Sequence, residues 1–494
     1  MPVDHLHASY TERVSQWERC RDAFAGSDVV KSKGAAYLPR LGNQQESDYR
    51  AYVKRASWYG ATARTVLGLT GSVMRKPASV EVPEVLATHF EDITRTNVAL
   101  DTFAGMLVQE ILKVGRAGIL LDMPMVPGSQ VRPHWVQYCA EQIVNWREEV
   151  LDGVKTLVMV VLKEAYEVPG KDEFTYECLT QYRVLKLSGG IYLVDLWRPD
   201  AERNGDYVLA HSTTPSVRGA VIPYIPFVFL NPLNLDPTTD KPPLLDLVDL
   251  NLAHYMNSAD LEHGRHFTAL PTPYVTGFAK DKQTSLQIGS STAWVIPQAE
   301  ARVGMLEFTG QGLQALEHAL ESKEKQMAVL GARMLEEQKM QTEASETHAI
   351  RRSGESSLLA SIAETLSMGL TQVAKWHALW VSAREVDTLK IDLNKDFFGI
   401  PLSPSEVAEL VRTWQAGGIS YETLYYNLAQ GEITRPGVTA EEEQSQIESE
   451  TPTMDLGNRT DQDPEVPEGT ELGPDGKPIQ KVAVPAQAGA ARGA

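Results

Sequence analysis

Pro242-Pro243-Leu244-Leu245-Asp246-Leu247-Val248-Asp249-Leu250-Asn251-Leu252-Ala253-His254-Tyr255-Met256-Asn257-Ser258-Ala259-Asp260 opens on two prolines and then sets Leu245, Val248, Leu252, Tyr255 and Ala259 three and four residues apart. That spacing draws one apolar stripe along a helix, and prolines are tolerated only at its start. The pattern predicts a helix that ends near Gly264, before Pro271 and Pro273. Short β-like runs follow at Tyr274 to Thr276, Trp294 to Ile296 and Met305 to Phe308. A second helix is predicted from Gly312, with Leu313, Leu316, Leu320, Met327, Leu330 and Met334 on one seam that Lys323 interrupts. Its heptad-like spacing fits close helix packing. Gln338 to Thr347 is polar and unpatterned. A third long helix is predicted over Ser353 to Ser382, with Leu359, Ile362, Leu366, Val373, Trp376 and Trp380 on its apolar side. The order helix, small β insertion, returning helix, polar loop, long helix decides the fold.

Working outward, residues 1 to about 125 read as helical. Tyr10 to Ala25 is amphipathic, Glu46 to Met74 is one longer helical pattern, and Val98 to Val114 repeats the spacing. Gly115 and Gly118 bracket a turn into a short strand, Ile119 to Leu121. From about 133 to 230 the period changes to two, predicting strands over Thr156 to Leu162, Phe174 to Leu187, Ile191 to Trp197 and Val221 to Leu230. Beyond the third long helix, Ser403-Pro404-Ser405-Glu406 and Thr439-Ala440-Glu441-Glu442 are capping-box starts, and Gly417-Gly418 stops a helix. The last aromatic residue is Tyr426. From 441 to 494 twelve acidic residues stand against four basic ones, and the Pro- and Gly-rich stretch after Glu450 predicts a disordered tail. The fold class is α+β, mainly helical.

The 494 residues exceed what one core usually holds. A formal charge of −19 argues against a sequence-specific nucleic-acid binder, which gains its affinity by neutralising phosphates. No apolar run approaches the ~20 residues of a membrane span, and the N-terminus lacks a signal-peptide pattern. Cys20, Cys139 and Cys178 are odd in number and far apart, which fits buried, inert thiols and a reducing compartment. Phosphate-loop, HExxH, GxSxG and GxGxxG motifs are absent, so neither enzyme activity nor a cofactor is expected. Asp260, His263 and His266 fall at helical spacing, which makes a metal site or a dispersed hydrolase site conceivable. A polar helix end complementing the dipole is the simpler reading. Asp246 with Asp249 reads as a solvated face rather than an acid–base pair. Trp376, His377 and Trp380 read as core before they read as a base-stacking platform.

The order of elements resembles a tailed-bacteriophage portal protein, the head-to-tail connector family. Local stretches carry the likeness too: Arg132-Pro-His-Trp-Val-Gln-Tyr-Cys-Ala-Glu-Gln-Ile-Val-Asn-Trp-Arg147, Gln181-Tyr-Arg-Val-Leu185, Ile222-Pro-Tyr-Ile-Pro-Phe-Val-Phe229, Pro242 to Leu247 and Asn251 to Asp260. It covers about residues 10 to 445. The resemblance implies a wing over 1–242, a first stem helix over 243–265, a clip over 266–309 and a second stem helix over 311–335. It further implies a tunnel loop and long wing helix over 336–402 and a crown over 403–450, leaving 451–494 as the tail. Leu252, Leu320, Met327 and Leu330 would pack the stem. Asp246, Asp249, Glu317, Glu321 and Glu324 are candidates for an acidic lumen, and Gln338, Lys339, Gln341 and Thr342 for a loop that meets DNA. The implied assembly is a homo-oligomeric ring of twelve subunits at one capsid vertex of the virion, built in the host cytoplasm, with no membrane partner. Double-stranded DNA would pass through it without sequence specificity, and terminase, head–tail adaptors, and major capsid and scaffolding proteins would dock on it. The alternatives are another ring-forming connector or scaffold component, or the dispersed hydrolase.

Overall fold

The computed structural model describes residues 2–123, 132–203, 205–217, 219–269, 272–276, 300, 302–306, 311–332, 357–381, 386–395, 397, 402–431, 433–435 and 438–450. The chain divides into two compact units, Met1–Phe398 and Gly399–Ala494. The first opens with α1 (Ala8–Ala25), α2 (Ser27–Ser32), α3 (Glu46–Arg55) and α4 (Ala61–Val73). Strand β1 (Ser79–Glu81), α5 (Glu84–Phe90) and α6 (Leu100–Val114) follow. Next come β2 (Ala117–Asp122), β3 (His134–Cys139), β4 (Ile143–Leu151), β5 (Val154–Pro169), β6 (Tyr176–Ser188), β7 (Ile191–Pro199) and β8 (Tyr207–Thr213). Strands β9 (Ser216–Val217), β10 (Ala220–Val221) and β11 (Phe227–Leu230) lead into α7 (Leu245–Ala269). Then β12 (Thr272–Thr276), β13 (Arg302–Leu306), α8 (Gln311–Ala332), α9 (Leu358–Val381) and β14 (Lys390–Asp392) complete the unit. The fold is mixed α+β, as the change of period predicts.

Two antiparallel sheets organise the middle of this unit, one in the order β11-β2-β3 and one a five-stranded meander from β4 to β8. Helix α6 buries the face carrying Phe103, Leu107 and Ile111 and ends at Gly115, whose φ of 73° only glycine adopts without strain. The chain then enters β2, buried from Ala117 to Leu121. Gly118 lies under the Phe227 ring, and a Cβ there would come within 2.2 Å of the ring carbon Cζ. Helix α9 crosses β11 as closely: at Gly369 a Cβ would meet Leu230 at 2.4 Å. These glycines let backbones approach where side chains would hold them apart. In α1, Arg21 bridges Glu110 of α6 and Glu141, so the one buried carboxylate of α6 has its counter-charge.

Several sequence expectations need correction. The single helical pattern over Glu46 to Met74 is broken between α3 and α4, because side chains of α7 take the backbone donors of this stretch. The strand expected over Val221 to Leu230 is two pieces, since Pro223 and Pro226 have no N–H to give a ladder. Strands β5 and β6 pair as far as Pro169 and Tyr176, well past the predicted Leu162 end of the first. Gly264 does not end α7, which runs to Ala269. The thiols differ: Cys20 is buried, Cys139 half-buried and Cys178 exposed. Burial pushes Cys20 up to about 12 and Cys139 up to about 11, so the inert reading applies to those two only.

The second unit is α10 (Pro404–Gln415), α11 (Tyr421–Gln430) and α12 (Ala440–Glu450). Both expected capping boxes form. The Ser403 hydroxyl accepts from the Glu406 amide at 3.3 Å and the Glu406 carboxylate accepts from Ser403 N–H at 2.8 Å. Thr439 and Glu442 exchange the same pair of bonds. Residues 451–494, read as a tail, lie outside the described residues.

Strand β3, α5 and α9 meet at a pair of histidines, His377 buried and His89 half-buried. Trp135 Nε1–H donates to His377 Nδ1 at 3.0 Å, which leaves the His377 proton on Nε2, facing His89 Nδ1 at 3.0 Å. Both rings are therefore held neutral: a further proton on either one would point donor against donor. Burial, then His89 and Arg132, push His377 down to about 3, and burial with Arg132 also lowers His89. A lowered histidine pKa in the folded state means stability present above ~6.5 and lost as pH falls. Between pH 7.5 and 5.5 His377 alone should cost about 1.4 kcal/mol. Urea unfolding at the two pH values should show that drop, and it should shrink in His377→Gln; a drop of unchanged size in the variant would refute the linkage.

Candidate functional site

Helices α7 and α8 pack against each other as a long pair. Arg265 Nη2 donates to Glu317 Oε1 at 2.8 Å and His254 Nε2 meets Glu324 Oε1 at 3.3 Å, while Lys323 Nζ donates to the Ala253 carbonyl at 3.0 Å. As numbers rise along α7 they fall along α8, so the helices are antiparallel. Each is about 35 Å long at ~1.5 Å per residue. Lys323, the residue that interrupts the apolar seam, sits on it: the seam reads 313, 316, 320, 323, 327, 330, and the lysine stem packs while its ammonium finds a carbonyl. Burial lowers its pKa. Gly264 admits the facing helix closely, since a Cβ there would fall 2.6 Å from Leu313 Cδ2.

The first half of α7 is rooted in the helical layer. Asn251 is fully buried; its Oδ1 accepts from Thr62 N at 3.2 Å and Thr62 Oγ1 at 2.9 Å, and its Nδ2 donates to the Tyr59 carbonyl at 2.7 Å. Ser258 Oγ accepts from Ser57 N at 3.0 Å, and Tyr52 donates to Asp260 Oδ1. Trp58 packs edge-on to Tyr255. Asp260, His263 and His266 are thereby accounted for without a metal. Asp260 is the Tyr52 acceptor, His263 lies edge-on to Tyr52 and 3.4 Å from Arg55, and His266 is exposed. Burial, then Arg55, lowers His263. Among the described residues no group of three His, Cys, Asp or Glu could hold a metal ion.

Of the proposed packing residues, Leu252 and Met327 are buried, and Leu320 and Leu330 are half-buried. The five acidic candidates all have partners within the chain. Asp246 pairs with Lys241 at 2.6 Å, Asp249 with Arg19 at 3.4 Å and Glu317 with Arg265, while Glu324 meets His254 and Glu321 lies 3.9 Å from His318. Burial keeps His254 below the ordinary histidine range despite Glu324, so that contact is a hydrogen bond to neutral imidazole near pH 7. The far end of the pair carries β12 and β13, antiparallel from Thr272↔Leu306 to Thr276↔Arg302. Tyr274, Val303 and Met305 are about half exposed or more. Trp294 to Ile296, and Gln338, Lys339, Gln341 and Thr342, lie outside the described residues. Trp376 stacks on Tyr224, and His377 is the buried acceptor of Trp135, so the base-stacking reading of α9 gives way to packing.

Sequence reasoning missed the Asn251 root. An asparagine flanked by Leu250 and Leu252 on an apolar stripe was its one signal.

The sequence model of a family described as a domain of unknown function (DUF4055) matches residues 243–381, from two residues before α7 to the last residue of α9. No curated protein matches the chain. Among solved structures, the chain is similar to one from the neck of an empty gene transfer agent particle computed with C6 symmetry. The identity is 13% and the TM-score 0.37, covering 83% of this chain and 99% of that one. A chain in the neck of the native particle computed with C12 symmetry gives 13% and 0.37, with 74% and 89% covered. One in the virion of the native particle gives 13% and 0.38, with 81% and 98% covered.

Asn251→Leu leaves the Thr62 amide and the Tyr59 carbonyl buried without partners, which should destabilise the full chain by at least about 2 kcal/mol in urea unfolding. Gly264→Ala should cost about 1–3 kcal/mol by overpacking against Leu313. Leu313→Ala in the same chain should recover most of that; failure of the second change to rescue the first would mean the helices are not in contact there.

Proposed function

We propose that this chain is the subunit of a portal ring, the channel at one capsid vertex of a tailed-phage virion through which double-stranded DNA is packaged, retained and ejected. The observation that carries the reading is the antiparallel α7–α8 pair, rooted at one end by Asn251 and capped at the other by a ladder that is two-stranded among the described residues. It agrees with the sequence resemblance, in which a stem rises from a wing and ends in a clip. Two strands alone are marginal in water, so the ladder is completed by neighbouring copies around the ring. Duplex DNA carries one charge per ~1.7 Å, and a basic wall would grip it at many points. A ring of chains each at −19 repels it and lets it slide. The acidic residues of α7 and α8 that are not neutralised by their partners line that wall. Residues 338–347, with Lys339 as their one cation, form the narrowest passage and touch phosphates without clamping them. The chain itself is not an enzyme: the work of translocation comes from a separate ATPase, the terminase, docked on the clip, and head–tail adaptors follow it there.

Negative-stain microscopy of the purified chain should show rings with a central hole; compact monomers at high concentration would overturn the proposal. Leu320→Asp should abolish rings by placing an unpaired charge in the α7–α8 seam, and Lys339→Glu should leave rings intact while altering DNA retention. Hydrogen exchange at Tyr274–Thr276 should be slow in rings and fast in monomers, and equal rates would defeat the intersubunit ladder.

A further inference from the structure

The second unit is short of core. Among its described apolar side chains only Leu424 and Tyr425 are buried, whereas Trp414, Tyr426 and Ile433 are 38%, 63% and 48% exposed. Its described part, within 402–450, is about fifty residues, near the lower limit at which one core sustains a fold by itself. Charge adds to the difficulty. Residues 402–450 carry nine acidic side chains against two basic, and 451–475 carry seven against one. On α12, Glu441, Glu442 and Glu448 are exposed. Past Asp475 the composition inverts: 476–494 contains Lys477, Lys481 and Arg492, no Asp or Glu, and the apolar residues Ile479, Val482 and Val484.

We propose that residues 476–494 dock on the α10–α12 surface of their own unit. Ile479, Val482 and Val484 cover the apolar side chains left open, and the three cations face the glutamates of α12 and the rings of Trp414 and Tyr426. A lysine or arginine over an aromatic face gains from the ring quadrupole, which suits this pairing of residue types. The tether is adequate: 451–475 reaches up to about 80 Å when extended at ~3.3 Å per residue, and it holds the segment at a high effective concentration. That tether cannot be the cover itself, because its seven acidic residues are repelled by α12. A second copy of the unit brings the same acidic surface and meets the same repulsion. The last nineteen residues are the part of the unit whose charge is complementary.

The test is hydrogen exchange on the full chain, compared with a chain lacking 476–494, with Lys477→Glu/Lys481→Glu/Arg492→Glu, and with Lys477→Arg/Lys481→Arg/Arg492→Lys. Amides of 421–431 should exchange on the order of tenfold faster in the deletion and the charge reversal. They should return to the parent rate in the charge-keeping variant, with the first unit unchanged throughout. Exchange in 421–431 that ignores the deletion would overturn the proposal. So would protection that falls on dilution whether or not 476–494 is present, which would assign the cover to a second copy. The measurement does not depend on ring formation, so it fails or succeeds independently of the portal reading.

Discussion

A single buried amide holds the first unit in its arrangement. Asn251 sits in the first half of α7, with an apolar residue on either side, and takes up Thr62 N–H, the Thr62 hydroxyl and the Tyr59 carbonyl. Those groups lie in the interruption between α3 and α4 and in the first turn of α4, which in isolation would need water or a continued helix to satisfy them. With Asn251 and Ser258 as surrogate partners, the chain can bend there, turn Trp58 and Tyr59 onto Tyr255 and His254, and pack both α3 and α4 against α7. Together with the Tyr52–Asp260 bond, these contacts tie the first helices to α7, from which α8 and the β12–β13 ladder continue.

Electrostatics is arranged in two layers. Several buried charges are paired: Arg21 with Glu110 and Glu141, Arg183 with Asp122 and Glu164, Lys186 with Asp195, whereas the fully buried Arg116 donates to the Pro237 and Thr238 carbonyls and lies over the Trp146 and Phe229 rings. Such pairs gain little net stability but strongly resist the loss of one member. Surplus negative charge is left to the surface and to the C-terminal part of the chain, where water and salt screen it. The His89–His377 pair follows the opposite logic, since it is kept uncharged by a tryptophan donor. A protein with so much negative charge can still have a core indifferent to it.

Much of the candidate site was legible residue by residue. The seam from Leu313 to Leu330 predicted the facing helix, and Lys323, the odd residue in it, marks the place where a lysine reaches a carbonyl instead of breaking the contact. The capping boxes at Ser403 and Thr439 were legible because they are local exchanges between residues three apart. Gly264 was misread as a helix stop because a glycine that ends a helix and a glycine that admits a neighbouring leucine look alike until the neighbour is placed. The continuous pattern across Glu46 to Met74 was misread for the same reason, since the partner that breaks it lies about two hundred residues away in sequence.

By itself the sequence determined the succession of elements, the helical and strand periods, the caps, and the acidic balance, because each depends on neighbours within a few residues or on composition. Only the tertiary structure decided where α3 parts from α4, why Gly264 and Gly369 must lack side chains, that Asp260 and His263 have other partners, and which imidazoles stay neutral. Those outcomes depend on groups distant along the chain and close in space. Burial raises the cost of an unmet hydrogen bond or an unpaired charge from negligible to decisive.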